Sequence, residues 1–224
     1  MGERKQRMKM SFKVLIACEN SGVVRDAFIK RGFDAVSCDI LPSENTGPHI
    51  QSDVVELLNT NQHFDLMIAH PPCTYLSASG IHWNTYKENR KYTIPPEERQ
   101  LLTEQSLKFV EVLMNQNIKH IAIENPVGII STRIRKPDQY IQPYFFGHPE
   151  SKKTGLWLKN LPPLISTNIL EKPEKGYWDN QTPSGQNKVS EKKDRWKERS
   201  KTYIGIADAM AEQWGNYISN HARI

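Results

Sequence analysis

The sequence predicts an α/β fold: a doubly wound, mostly parallel sheet with helices on both faces. Three observations predict it. Short apolar runs alternate with helix-spaced segments through the first 160 residues, the pattern of parallel strands joined by crossover helices. The apolar runs end at polar or proline-containing loops, as buried strands do. Segment 97–115 carries Leu102, Phe109, Val110 and Leu113 on one helical face.

The elements follow in order. FKVLIA at 12–17 reads as a buried strand. A helix follows over 21–31, with Val24, Ala27 and Phe28 at helical spacing and Gly32 at its stop. A second strand, 35–40, closes on Asp39, and 54–58 reads as a short helix or turn. The third strand, 65–70, is ended by Pro71 and Pro72, which cannot continue a central ladder. The fourth, 120–124, is stopped by Asn125-Pro126, and further strands are expected at 141–146 and 155–158. From 161 to about 201, Pro, Lys, Glu, Asn and Gly dominate and periodicity disappears, which predicts loops with little core of their own. A last helix, 204–218, puts Ile206, Met210, Trp214 and Ile218 on one stripe. The expected organisation is a flexible extension at 1–10, an α/β domain at 11–160, an insert region at 161–201, and a segment at 202–224 whose helix packs back on the domain.

Size and composition narrow the function classes. At 224 residues, 38% of them hydrophobic, the chain suits one packed core. No stretch nears the roughly 18 apolar residues of a membrane span, so no membrane partner is expected. The basic start, 1–10, is not followed by an apolar run of signal-peptide type. It reads as an extension of a frame that can open at Met8 or Met10. A net charge of +5 favours an anionic partner such as nucleic acid. Three scattered cysteines, Cys18, Cys38 and Cys73, argue for a reduced compartment, the cytoplasm. They also argue against a disulfide framework or a zinc ribbon, so no metal is expected.

In a doubly wound sheet, ligands bind beyond the carboxyl ends of the strands. That singles out Ala17-Cys18-Glu19, Asp39, His70-Pro71-Pro72-Cys73 and Glu124-Asn125. A carboxylate ending the second strand suits a ribose, since it accepts hydrogen bonds from two vicinal hydroxyls; a turn-capping role suits Asp39 equally well. Cys73 follows two prolines at a strand end, a rigid position facing the cleft. There a helix amino end or a basic group lowers a thiol pKa; the alternative is a buried, inert cysteine, the reading that fits Cys18 and Cys38. A zinc deaminase also uses Pro-Cys but needs a second Cys three residues on, where this chain has Leu76. Residues 81–96 hold His82, Trp83, Tyr86, Lys87, Arg90, Lys91 and Tyr92, which either grip phosphate and stack on bases or form a solvated loop. The basic run of Lys192, Lys193, Arg195, Lys197, Arg199 and Lys201, with Trp178 and Trp196 nearby, suits the same contacts.

Together these segments resemble the DNA cytosine-5 methyltransferase family, in a compact, phage-like form. DLMIAHPPCTYLSASG at 65–80 is similar to the signature Asp-Leu, an apolar pair, Gly-Gly-Pro-Pro-Cys-Gln-x-Phe-Ser-x-x-Gly. Asp65, Leu66, Pro71, Pro72, Cys73, Ser77 and Gly80 fall in register. IAIENPV at 121–127 resembles the family's Glu-Asn-Val strand end, and FGHPESKKTGLWL at 146–158 its Tyr-Gly-x-Pro-Gln-x-Arg-x-Arg segment. Residues 14–33 and Asp39 sit like the cofactor loop and the acidic ribose ligand. The last helix, reached through 202–205, occupies the place of the final motif.

The resemblance implies a Rossmann-like S-adenosylmethionine-dependent methyltransferase fold and a covalent mechanism on DNA. Carbon 5 of cytosine is a poor nucleophile; a thiolate adding at carbon 6 makes it enamine-like and able to attack an electrophilic methyl. By resemblance Cys73 is that nucleophile. Glu124 holds the base edge and shares a proton at nitrogen 3, with its pKa raised. Asn125 orients Glu124, and Lys152 supports the site. S-adenosyl-L-methionine is expected against Ala17, Cys18, Glu19, Gly22, Asp39, Ile40, Asp53 and Pro72. DNA is expected against Ser77, Trp83, Arg90, Lys91, Arg195 and Arg199, with the target cytosine flipped out of the stack. Specificity should be short or relaxed, because 161–201 is too small for elaborate groove reading. A monomer acting in the cytoplasm, a host's if phage-encoded, is expected.

The chain departs from the family pattern in four places. Its cofactor loop keeps only Gly22 and gains Glu19; His70 and Thr74 replace Gly and Gln around Pro-Pro-Cys. Glu150-x-Lys152-x-Thr154 replaces Gln-x-Arg-x-Arg, and the last motif's Gly-Asn pair is absent around Gly205. Two other readings follow: the same Cys73 and Glu124 chemistry with a modified S-adenosylmethionine or another pyrimidine, and a decayed relative that only binds DNA.

Overall fold

The computed structural model describes residues 12–188 and 201–221; the extension at 1–10 and the basic residues Arg195 and Arg199 lie outside them. Seven strands form one sheet: β1 (Lys13–Ala17), β2 (Asp34–Asp39), β3 (His49–Gln51), β4 (Leu66–Ala69), β5 (His120–Pro126), β6 (Gln139–Ile141) and β7 (Thr154–Lys159). Their order across the sheet is β3-β2-β1-β4-β5-β7-β6, with β7 antiparallel to both β5 and β6 and the other pairs parallel. The helices are α1 (Val23–Lys30), α2 (Val54–Leu58), α3 (Ala78–Ile81), α4 (Pro96–Met114), α5 (Ile130–Arg133), α6 (Ile204–Ala209) and α7 (Gly215–His221). This is the doubly wound, Rossmann-like class that the sequence predicts.

Side chains alternate across β1, which is buried on both faces. Val14 and Ile16 join Phe28, Met210, Trp214 and Ile218 on one side, while Leu15 and Ala17 join Val54, Leu107, Val110 and Leu113 on the other. Among the described residues no helix is long and apolar enough to cross a membrane. The chain runs outward from β1 to β2 and β3, then returns to place β4 on the other flank of β1. The order therefore reverses between β1 and β4, where such folds open a crevice at the carboxyl strand ends.

Four expectations about elements need correction. β5 does not stop at Glu124 but continues through Asn125 and Pro126, paired with Gly155 and Thr154 of β7. β4 has already ended at Ala69, so β5 is an edge there and tolerates proline. The strand expected at 141–146 ends at Ile141, and Pro143–Phe145 form a 3₁₀ turn with proline at its first position. The last helix contains one π turn, Met210–Trp214, between α6 and α7. Trp178, expected to stack on a base, is buried and stacks on Tyr144 at 5.2 Å between centroids.

Residues 161–188 contain no helix and only isolated bridges, as expected of loops. They are nonetheless packed down: Leu161 and Leu164 enter the core, and Asn168 and Leu170 bond to the backbone of Tyr144, Phe145 and Gly147.

Candidate active site

Strand register brings the predicted residues to one row. Ala17 pairs with Ala69, and Ala69 with Ile123, so the next residues, Cys18, His70 and Glu124, emerge side by side. The His70 amide bonds to the Ala17 carbonyl at 2.9 Å and locks this row. Glu124 and His70 are mostly buried, and His70 Nδ1 lies 2.9 Å from Glu124 Oε2.

Burial pushes the Glu124 carboxyl up, but three neighbours outweigh it: the hydrogen bond from His70, the charges of Lys152 and His70, and the Thr154 hydroxyl. The net direction is down, which overturns the expected rise. The departure at 150–154 thus keeps one cation on Glu124 and substitutes a hydroxyl for the second. Glu150 accepts from the Tyr203 hydroxyl at 2.5 Å, and Lys152 Nζ lies 5.9 Å from the centre of the Tyr203 ring.

Asn125 does not orient Glu124. Successive strand residues face opposite ways, and the buried Asn125 amide donates to the Pro71 carbonyl at 2.7 Å. It therefore anchors the Pro-Pro-Cys turn to β5. Glu124 is instead met by His70 and Thr154; the sequence marked His70 as a strand-end residue and a departure from the family pattern, without a role.

The turn after Cys73 is held from three sides. The Cys73 carbonyl accepts from the amides of Leu76 and Ser77. Residues 76–78 bond to 127–129, where a Cβ on Gly128 would stand 1.9 Å from the Leu76 carbonyl oxygen. Arg99 of α4 covers the Tyr75 ring at 4.8 Å and donates to the Thr74 and Gly80 carbonyls. Cys73 is half-buried and Pro72 exposed. Nothing in the sequence pattern marks Arg99, whereas Gly128, two residues past Asn125-Pro126, is a visible mark of close backbone approach.

At β1 and β2 the expected cofactor residues assemble differently from a glycine-rich loop. Cys18 and Gly22 adopt left-handed conformations, φ 59° and 75°. Glu19 is buried and accepts from the Ser21 hydroxyl and the amides of Val24 and Arg25. Its carboxylate holds the amino end of α1, where a negative charge is stabilised. Gly22 also makes room for the fully buried Arg25, which donates to Ser37, Ser43 and the Thr46 carbonyl. Asp39 accepts from the Leu41 amide, beside an Ile40 that is 70% exposed, and Asp53 caps α2 through the Val55 amide. Burial, then the charges of Asp39, Cys38 and Asp53, drive the Cys18 thiol far above its usual range. Burial followed by Asp39 and Asp53 pushes Cys38 up to about 11. At both positions the surroundings favour the neutral thiol.

The expected nucleic-acid residues divide. Ser77 is buried, with its hydroxyl 3.2 Å from that of Ser79, and serves the turn. Arg90 lies 4.3 Å over the Trp83 ring, which meets Tyr92 edge-on, while Lys91 is exposed on the same segment.

No family model matches this chain, and no curated protein does. Among solved structures, it is similar to a prophage-encoded protein of E. coli described as a DNA modification methyltransferase, with 16% identity and a TM-score of 0.41. The likeness covers 66% of this chain and 46% of that one, so the chain spans less than half the length of that relative.

Proposed function

We propose that this protein transfers a methyl group from S-adenosylmethionine to carbon 5 of cytosine in DNA, through a covalent adduct on Cys73. The observation that carries the reading is the join between two strand ends: the Pro71-Pro72-Cys73 turn is bonded through Asn125 to the strand that presents Glu124. A nucleophile and a carboxyl group are thereby held to one crevice.

S-adenosylmethionine fits the carboxyl ends of β1 and β2. Asp39 offers a carboxylate to a ribose and Ile40 an exposed apolar side chain to a base. Asp53 and Pro72 border the same end of the sheet, and the left-handed Gly22 opens α1 beside it. The cofactor supplies an electrophilic methyl. Cys73 attacks carbon 6 of the flipped base, Glu124 grips its polar edge, and Lys152 holds charge beside Glu124. Trp83, Arg90 and Lys91 lie on the segment after Cys73 that would meet the strand from which the base is drawn; Arg195 and Arg199 would add phosphate contacts.

The test is the intact mass of the protein after incubation with S-adenosylmethionine and duplex DNA carrying 5-fluorocytosine. Fluorine cannot leave as a proton would, so the adduct is trapped. A mass increase equal to the methylated strand, absent in Cys73→Ala, is expected. Folded protein that binds this DNA without forming an adduct would overturn the reading.

A further inference from the structure

We propose that His70 is a positioning residue that acts through Glu124 and carries the proton which that carboxyl delivers to the base. The inference rests on the Cys73 reading above. Three observations support it. His70 Nδ1 and Glu124 Oε2 are 2.9 Å apart, and the two side chains are only 8% and 13% exposed. The His70 amide is bonded to the Ala17 carbonyl, which holds its backbone beside the strand end that presents Glu124. His70 Nε2 and Asn125 Oδ1 are the two buried side-chain atoms without a hydrogen-bond partner among the described residues. Leaving a polar atom so costs stability, and both flank the Pro-Pro-Cys turn.

Chemistry explains why a second group is needed. With its pKa held down, Glu124 is ionised at neutral pH and has no proton of its own to give. Addition of the Cys73 thiolate forms the sulfur–carbon 6 bond, and the carbon 5–carbon 6 π pair moves into the ring. Nitrogen 3 then takes up a proton, which discharges the negative charge brought by sulfur. In the reacting form, the His70–Glu124 pair holds one shared proton. It crosses from Nδ1 to the carboxyl and on to nitrogen 3, and returns by the same path when sulfur leaves.

The other groups around the pair are poorer donors. Lys152, from the run-in to β7, is a cation that acts on Glu124 through its charge. Thr154 offers a neutral hydroxyl. Cys18, just past β1, has its thiol pKa raised by burial, Cys73 is the nucleophile, and Tyr203 is engaged with Glu150. Imidazole can hold a proton on either ring nitrogen and pass it to a bonded carboxyl.

The experiment measures the rate of adduct formation on 5-fluorocytosine DNA from pH 5.5 to 9 for the wild type, His70→Asn and Glu124→Gln. Asn keeps a donor near Nδ1 but cannot titrate. Wild type should lose rate on the alkaline side. His70→Asn should be roughly 100-fold slower at neutral pH, with its alkaline limb moved at least one unit lower, because a lone carboxyl holds a proton less tightly than imidazole. Adding His70→Asn to Glu124→Gln should slow the reaction no further. A wild-type rate flat across this range, or an unmoved limb in His70→Asn, overturns the role of His70 and leaves Cys73 chemistry standing. The absence of any wild-type adduct overturns both.

Discussion

Glu124 shows how far a single residue could be read from sequence. A carboxyl at the end of a buried strand was legible as a candidate for the site. The direction of its pKa was not, because that depends on His70, Lys152 and Thr154, which come from three separate segments. The lowered pKa has a consequence for stability. A carboxyl with its folded value depressed contributes stability above its unfolded value, about 4.3, and loses it as pH falls through the folded value. In urea unfolding between pH 3 and 7, wild type should therefore lose stability below about pH 4.3 more steeply than Glu124→Gln. Asn125 makes a different point. Its neighbour's role suggested that it orients Glu124, but strand alternation turns it toward the Pro71 carbonyl. Asn125→Ala should cost about 1–3 kcal/mol of stability by leaving that carbonyl unpaired. Adduct formation should slow as well, because the turn carrying Cys73 loses its anchor.

At the scale of elements, period and length decided what was visible. β1, β2, β4, β5 and α4 were legible because each is a long or fully buried run with turn residues at its end. β3 has three residues, His49–Gln51, and no pattern to detect. The antiparallel insertion of β7 was hidden for another reason: nothing in a six-residue strand sequence states the direction of its partner. That insertion is what extends β5 past Glu124 and carries Lys152 and Thr154 to it. The join between the turn after Cys73 and the segment after β5 depends on Gly128, which lets backbone meet backbone under Leu76. Gly128→Ala would have to push residues 76–78 away, at a cost of about 1–3 kcal/mol. The expected outcome is a folded protein with a lower melting temperature and a proportionally larger loss of adduct rate, measured side by side. An unchanged adduct rate would show that the 76–78 bridge does not set the position of Cys73.

Across the whole molecule, the sequence allowed the layers to be inferred but not the manner in which 161–188 is attached. Low apolar content suggested a loose insert, yet backbone bonds to 144–147 and the burial of Leu161, Leu164 and Trp178 hold it against the domain. The aromatic expected to stack on a base, Trp178, is part of that packing. Affinity for DNA should then come mainly from phosphate contacts by a chain of net charge +5. Such binding follows counterion release: log affinity falls linearly with log salt, with a slope near −0.9 for each phosphate neutralised. Titrations at several salt concentrations should give nearly equal affinities for duplexes of unrelated sequence, all weakening together as salt rises. Replacing Arg195 and Arg199 with Ala should flatten the slope by about two without changing the preference among sequences. A slope that stays the same while one sequence loses affinity would mean that these arginines read bases, and that the region between 161 and 201 carries more specificity than its size suggests.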